Sequence, residues 1–157
     1  MKALYLWEPF ASAMALGVKR NETRGRSISY RGDVVICASK HRDSNVGIGA
    51  CKFLLAHFRH PEDDTVADTM ARLPYGMALC VVNLYDCVNV DSSFTTKGNI
   101  FDISITERSL GDYSPGRYAW LTRNLRVLAA PVPVRGKQGL FNFEPAEAAA
   151  VAAALAK

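Results

Sequence analysis

The stretch GMALCVVNLYDCVNV, residues 76–90, is the longest strand signal in the chain, and it constrains the fold most. Its run of valine, leucine, tyrosine and cysteine predicts a strand in the centre of a sheet. Further strands are predicted at ALYLW (3–7), GDVVICAS (32–39), RYAWLTRNLRVLAAPVPV (117–134) and QGLFNF (138–143). Pro131 and Pro133 mark an edge or exit, because proline cannot donate to a ladder. EPFASAMAL (8–16) reads as a short helix, with Pro9 at its first position and Gly17 as its stop. Residues 19–24 are polar and read as extended. Residues 44–59 place apolar side chains at 46, 50, 54, 55 and 58, one helical face. Residues 61–74 carry acids first and Arg72 last, as a helix dipole favours. A short helix near 103–110 and a terminal helix over 144–157 complete the pattern. The strands do not alternate regularly with helices, which excludes a repeated βαβ fold. The expected architecture is α+β, a partly closed β-barrel flanked by α-helices, as a single domain over residues 1–157.

With 49% hydrophobic and 22% charged residues, the sequence lies among globular chains and outside the disordered class. The N-terminus MKALYLWEP lacks the apolar core and cleavage site of a signal peptide, and no run suffices to span a bilayer. A cytoplasmic protein with no membrane association is the expectation. Cys37, Cys51, Cys80 and Cys87 form no C-x-x-C pair and read as unpaired core thiols rather than metal ligands.

The formal charge of +4 is unevenly spread. Residues 1–42 carry net +5, residues 43–112 net −5, residues 113–143 net +5, and the last fourteen net −1. If the two basic segments meet, one face suits a polyanion such as RNA or a nucleotide. Basic residues decorating exposed strands would explain the same counts.

The signatures of P-loops, α/β-hydrolases, zinc proteases and EF-hands are absent. The glycine pair Gly47 and Gly49 reads as structural. His41, His57 and His60 are too scattered for a triad, although His41 adjoins Lys40. GVKRNETR is more informative: Gly17, Lys19, Glu22 and Arg24 form G-x-K-x-x-E-x-R behind a strand and helix. This pattern resembles the signature of the ASCH family. The similarity continues through YRGDVVICASK (30–40), GMALCVVNLYDCV (76–88), SPGRYAWLTRN (114–124) and VPVRGKQGLFNF (132–143), nearly the whole chain. It implies a PUA-like β-barrel associated with RNA and modified-nucleoside recognition. Phe141 departs from it, since the family pattern implies a tryptophan after QGL.

Lys19, Glu22 and Arg24 make chemical sense as a charge-coupled set on a pocket rim. Lysine offers a compact cation, and Glu22 holds it or exchanges a proton with substrate. Strict strand alternation puts Lys19 opposite Glu22, so their meeting requires Lys19 to precede the strand or a bulge to intervene. A surface salt bridge would explain the charges alone. Lys40, at a strand end, can reach the barrel mouth. The Ser114-Pro115-Gly116 turn presents Ser114, Arg117 and Tyr118 together and is expected to form the opposite wall. Arg117 suits a phosphate, and Trp7 or Tyr118 suits base stacking. Trp120 and Tyr5 read as core. Arg135, Lys137 and Gln138 add donors for a nucleic-acid backbone. Arg20, Arg26, Arg31 and Arg42 read as general field or solubility.

The resemblance implies RNA binding, with ribonuclease action on single-stranded RNA as the leading mechanism. Lys40, Ser114, Lys19 and Glu22 are the catalytic candidates. Trp7, Arg24, Arg117, Tyr118, Arg135, Lys137 and Gln138 are the RNA-binding candidates. A non-catalytic reader of RNA or a modified base uses the same rim. Amidohydrolase relatives acting on an acylated cytidine carry threonine where this chain has Glu22. No cofactor is identified; a divalent metal ion could assist cleavage, although the sequence offers no compact carboxylate cluster to hold one. No protein partner is predicted.

Overall fold

The computed structural model describes residues 1–41, 55–63, 65–91 and 103–155. Six strands form one mixed sheet curled into a half-barrel and flanked by helices. They are β1 (Lys2–Leu6), β2 (Glu22–Arg24), β3 (Gly32–Ala38), β4 (Met77–Asn89), β5 (Tyr118–Pro133) and β6 (Leu140–Asn142). Their order is β2-β5-β4-β3-β1-β6, with β1 parallel to β3 and the other neighbours antiparallel.

The long apolar run becomes β4, inside the sheet between β3 and β5. Both faces of the sheet are covered, so the sequence shows no strict apolar alternation. Val34, Ile36, Val82, Leu84 and Trp120 pack with Leu4, Leu6 and Met14 on one side. Val35, Cys37, Val81 and Leu128 pack with Phe143 and Val151 on the other. Register shifts between β4 and β5, at Ala78/Cys80, Val81/Asn83 and Leu84/Asp86, interrupt the ladder. Such irregularities bend and twist a strand, which curls the sheet. Pro133 lies within β5, paired with Met77. Among the described residues β5 has no second neighbouring strand beyond its first three residues, so both prolines lie on its unpaired stretch.

The helices are α1 (Phe10–Ala15), α2 (Val66–Ala71), α3 (Ile105–Ser109) and α4 (Pro145–Leu155). Glu8 caps α1, its carboxylate accepting from the Ser12 backbone N–H at 3.0 Å and the Ser12 hydroxyl at 2.7 Å. Gly17, with φ of +73°, ends this turn in the left-handed conformation that glycine adopts without steric cost. The chain then reverses towards β2, which pairs along β5 from Glu22 opposite Trp120 to Arg24 opposite Tyr118.

Two helix expectations are corrected in extent. The helix expected from residue 61 begins only at Val66, where Thr65 and Asp68 form a reciprocal capping box. Of the helix expected over 44–59, residues 55–58 are helical and residues 44–54 lie outside the described ones, as do Cys51 and Arg42. Cys37 and Cys80 are buried free thiols, while Cys87 is only half-buried because β4 nears its exposed end. Among the described residues no helix is long and apolar enough to cross a membrane.

Candidate functional site

Lys19 lies just ahead of β2, which resolves the alternation problem: it shares a side with Glu22 because it is not part of the strand. It is the largest fully buried side chain among the described residues, at 2% exposure. Its Nζ donates to the Leu110 carbonyl at 2.9 Å, lies 3.4 Å from Glu22 Oε2 and sits 6.0 Å from the centre of the Phe10 ring. Glu22 Oε1 lies 3.0 Å from Arg24 Nε, off the N–H axis, an ion pair without a hydrogen bond. Arg24 Nη2 donates to the Tyr5 carbonyl at 3.3 Å. A cation, an anion and a second cation therefore stand in a row, with Glu22 the shared partner.

The backbone around Lys19 is held from α3. Glu107 is buried, and its two carboxylate oxygens accept from the backbone N–H groups of Arg20 at 2.7 Å and Asn21 at 2.9 Å. The Tyr113 hydroxyl also donates to Glu107, at 3.1 Å. Burial, followed by the neighbouring Glu107 charge, pushes the Tyr113 phenol far above its usual range. One short helix thus positions both the segment carrying Lys19 and, through Leu110, the carbonyl that Lys19 meets.

Lys19, Glu22, Arg24 and Leu110 line a cavity of about 470 Å³ with Trp7, Phe10, Thr23, Gly111, Asp112 and Arg117. Arg117 lies on its wall, as expected, with Nε donating to the Asp112 carbonyl at 3.1 Å and lying 3.2 Å from Asp112 Oδ2. The Ser114 hydroxyl hydrogen-bonds Asp112, and this bond, with the Ser114 backbone N–H and the Arg117 charge, holds the Asp112 carboxyl below its ordinary value. Thr23 and Asp112 join the site without having been singled out in the sequence. The Thr23 hydroxyl accepts from the Asp112 backbone N–H at 2.9 Å, a pairing 89 residues apart that no local pattern signals.

A second, wider cavity of about 1140 Å³ adjoins the first and shares Tyr5, Trp7 and Arg24 with it. Its remaining wall includes Arg26, Lys40, His41, Lys137 and Gln138. Lys40 therefore faces this cleft and not the small cavity that Lys19 and Glu22 line. Its stem packs against Gly76, where an added Cβ would lie 2.7 Å from Lys40 Cε. Lys137 also pairs with Glu144 at 2.9 Å.

Several residues stand elsewhere than expected. Ser114 lines neither cavity; it turns to Asp112 at the outer lip. Tyr118 lines neither cavity; two residues before Trp120 in β5, it takes that residue's face and packs half-buried against the same core cluster. Arg135 is exposed and outside both cavities, its backbone N–H donating to Glu147. Tyr5, read as core, is half-buried, stacks on Phe141 at 5.6 Å and contributes to both cavities. Arg26, read as general field, lines the wide cleft. Arg31 does pair with a surface carboxylate, Asp86, at 3.1 Å. Trp120 is core, its Nε1 donating to the Arg26 carbonyl at 3.1 Å. Among the described residues no group of three His, Cys, Asp or Glu side chains gathers closely enough to hold a metal ion.

No family profile matches the sequence, and no curated protein matches it. Solved structures do match. The crystal structure of an ASCH protein from Zymomonas mobilis aligns with a TM-score of 0.55 at 16% identity, over 97% of this chain and 93% of that one. A tyrosine-to-phenylalanine variant of the same protein aligns at 0.54 and 15% identity, over 97% and 96%. A serine-to-alanine variant aligns at 0.53 and 17%, over 97% and 94%. Likeness at this identity is a likeness of fold: the chain has the fold of an ASCH domain, as its sequence motifs imply.

Proposed function

We propose that the chain binds single-stranded RNA along the face that carries the two adjoining cavities. One observation carries this reading: cations from separate segments, Lys19, Arg24, Arg26, Lys40, Arg117 and Lys137, converge on cavities joined through Trp7. Basic clefts with an exposed aromatic ring bind unpaired strands by offsetting phosphate charge and stacking bases. Anisotropy titration of a labelled single-stranded RNA tests the reading. Affinity falls with salt by about 0.7 log units per log unit of salt for each phosphate neutralised. Arg24→Ala weakens binding and flattens that slope, whereas salt-independent binding overturns the reading.

Cleavage of the bound strand is a second reading, favoured by the Ser114, Asp112 and Arg117 group at the small cavity's lip. There Asp112 accepts the Ser114 proton as the hydroxyl attacks phosphorus. The bond from phosphorus to the leaving ribose oxygen breaks, with that oxygen taking the proton back from Asp112, and water then hydrolyses the phosphoserine. Arg117 offsets charge on the phosphorane-like transition state. Lys40 faces the neighbouring cleft and contributes to holding the strand. Incubating labelled RNA with wild type, Ser114→Ala and Lys40→Ala, with and without EDTA, tests this centre and its need for a divalent ion. Cleavage unaffected by Ser114→Ala refutes the centre, and binding without cleavage leaves a reader of RNA. Release of acetate from N4-acetylcytidine would point instead to an amidohydrolase.

A further inference from the structure

We infer that the recognition unit is a dinucleotide step, with one nucleotide in the small cavity, the next in the wide cleft and Trp7 between them. The inference rests on the RNA-binding reading and adds the unit recognised, two linked nucleotides rather than one.

The two cavities differ chemically. The small one, about 470 Å³, lies near the low end of the roughly 300–1,000 Å³ usual for small-ligand pockets. Its floor combines a donor, an acceptor and apolar walls in Lys19, Glu22, Phe10 and Leu110, the mixture that fits a base edge and its ring. The wide cleft exceeds that range and is lined by cations, with Arg26, Lys40 and Lys137 suited to a continuing phosphate backbone.

Of the three residues that line both cavities, Tyr5, Trp7 and Arg24, the last two suit a nucleotide. Trp7 follows the last residue of β1 and precedes α1, so its backbone is fixed at both sides, yet the residue is 48% exposed. It lines both cavities and lies against His41, with ring centroids 5.1 Å apart. A rigid, half-exposed indole is a stacking platform for a base. Arg24 also lines both cavities, and its guanidinium is oriented by Glu22 at 3.0 Å and the Tyr5 carbonyl at 3.3 Å. An oriented fork between two nucleotide-sized spaces suits the phosphate that links two nucleotides.

The test compares 5′-UMP, the dinucleotide UpU and a six-residue oligouridine by calorimetry and tryptophan fluorescence. UpU is expected to bind at least 10-fold more tightly than UMP and to quench Trp7, while buried Trp120 stays unresponsive. Trp7→Ala should weaken UpU by a larger factor than UMP. Lys137→Ala, at an exposed position, should weaken the hexamer by a larger factor than UpU. UMP binding as tightly as UpU, or a UpU advantage that survives Trp7→Ala, overturns the inference and leaves RNA binding intact. Failure of all three ligands to bind overturns the RNA reading itself.

Discussion

Removing Lys19 and removing Glu22 break the same ion pair but leave different remainders, so their costs should differ. At 3.4 Å and an effective dielectric near 20, the pair's attraction is about 5 kcal/mol. Lys19→Met forfeits that attraction and leaves the Leu110 carbonyl without its donor, a further loss of about 1–2 kcal/mol. Against this, the several kcal/mol spent desolvating the ammonium are recovered. Burying the methionine returns about 2 kcal/mol more. Glu22 keeps Arg24 as a partner and is 14% exposed, so it is not stranded. These opposing terms leave Lys19→Met within about 2 kcal/mol of wild type. Glu22→Gln instead leaves an ammonium at 2% exposure without a counter-charge, a cost of about 3–5 kcal/mol. Adding Lys19→Met to Glu22→Gln should therefore restore most of the loss. Urea unfolding at pH 7, followed by circular dichroism with an unchanged m-value, gives all three numbers. The reverse order, with Lys19→Met costing more than Glu22→Gln, would refute the claim that Glu22 is shared and Lys19 is not.

Three further outcomes follow from the fold. Glu107→Gln retains an acceptor for only one of the two backbone N–H groups and opposes the other with its own amide, so it should cost about 2–3 kcal/mol in the same unfolding assay. Gly76→Ala should lower stability by about 1–2 kcal/mol, measured as a drop in Tm, because φ there is +74°. The added Cβ would also stand 2.7 Å from Lys40 Cε and 2.9 Å from Lys40 Cγ, so the Lys40 stem must shift as well. Burial raises the Glu8 carboxyl above its ordinary 4.5, partly offset by the Ser12 bonds. The folded state thus holds that proton more tightly than the unfolded chain; the contribution is full below about 4.5 and is lost as pH rises through the folded value. The stability of wild type relative to Glu8→Gln should fall between pH 4 and pH 7, and a constant difference would contradict the burial assigned to Glu8.

Much of the sheet was legible in the sequence because strand signals are local. β4 announced itself through its length, Gly17 marked a real turn, and the short helix expected near 103–110 forms as α3. What local pattern could not supply was the partner of each wall. Glu107 reaches residues 86 and 87 positions away, and nothing in ITERS singles out its carboxylate as the clamp on Arg20 and Asn21. Strand alternation tells which face a side chain takes, but not which of two cavities that face meets. Arg24 and Arg26 were therefore separable only once β2 was set against β5. Tyr118 instead packs half-buried against the core cluster that contains Trp120, while Tyr5 comes to the rim of both cavities.

Glu22 is the residue whose identity does most to shape the site. The amidohydrolase pattern implies threonine there, and a threonine hydroxyl has neither the reach nor the charge to hold Lys19 and Arg24 at once. With glutamate, the row Lys19, Glu22, Arg24 carries one net positive charge, and Asp112 balances Arg117. The surplus resides on Arg24, the member of the row that is 35% exposed and lines both cavities, whereas Lys19 is enclosed. An incoming anion therefore meets an oriented guanidinium on the ridge between the cavities, not an ammonium at the bottom of one. Under the proposed RNA binding, that placement suits a phosphate carried along a strand better than a neutral acyl group buried in a pocket.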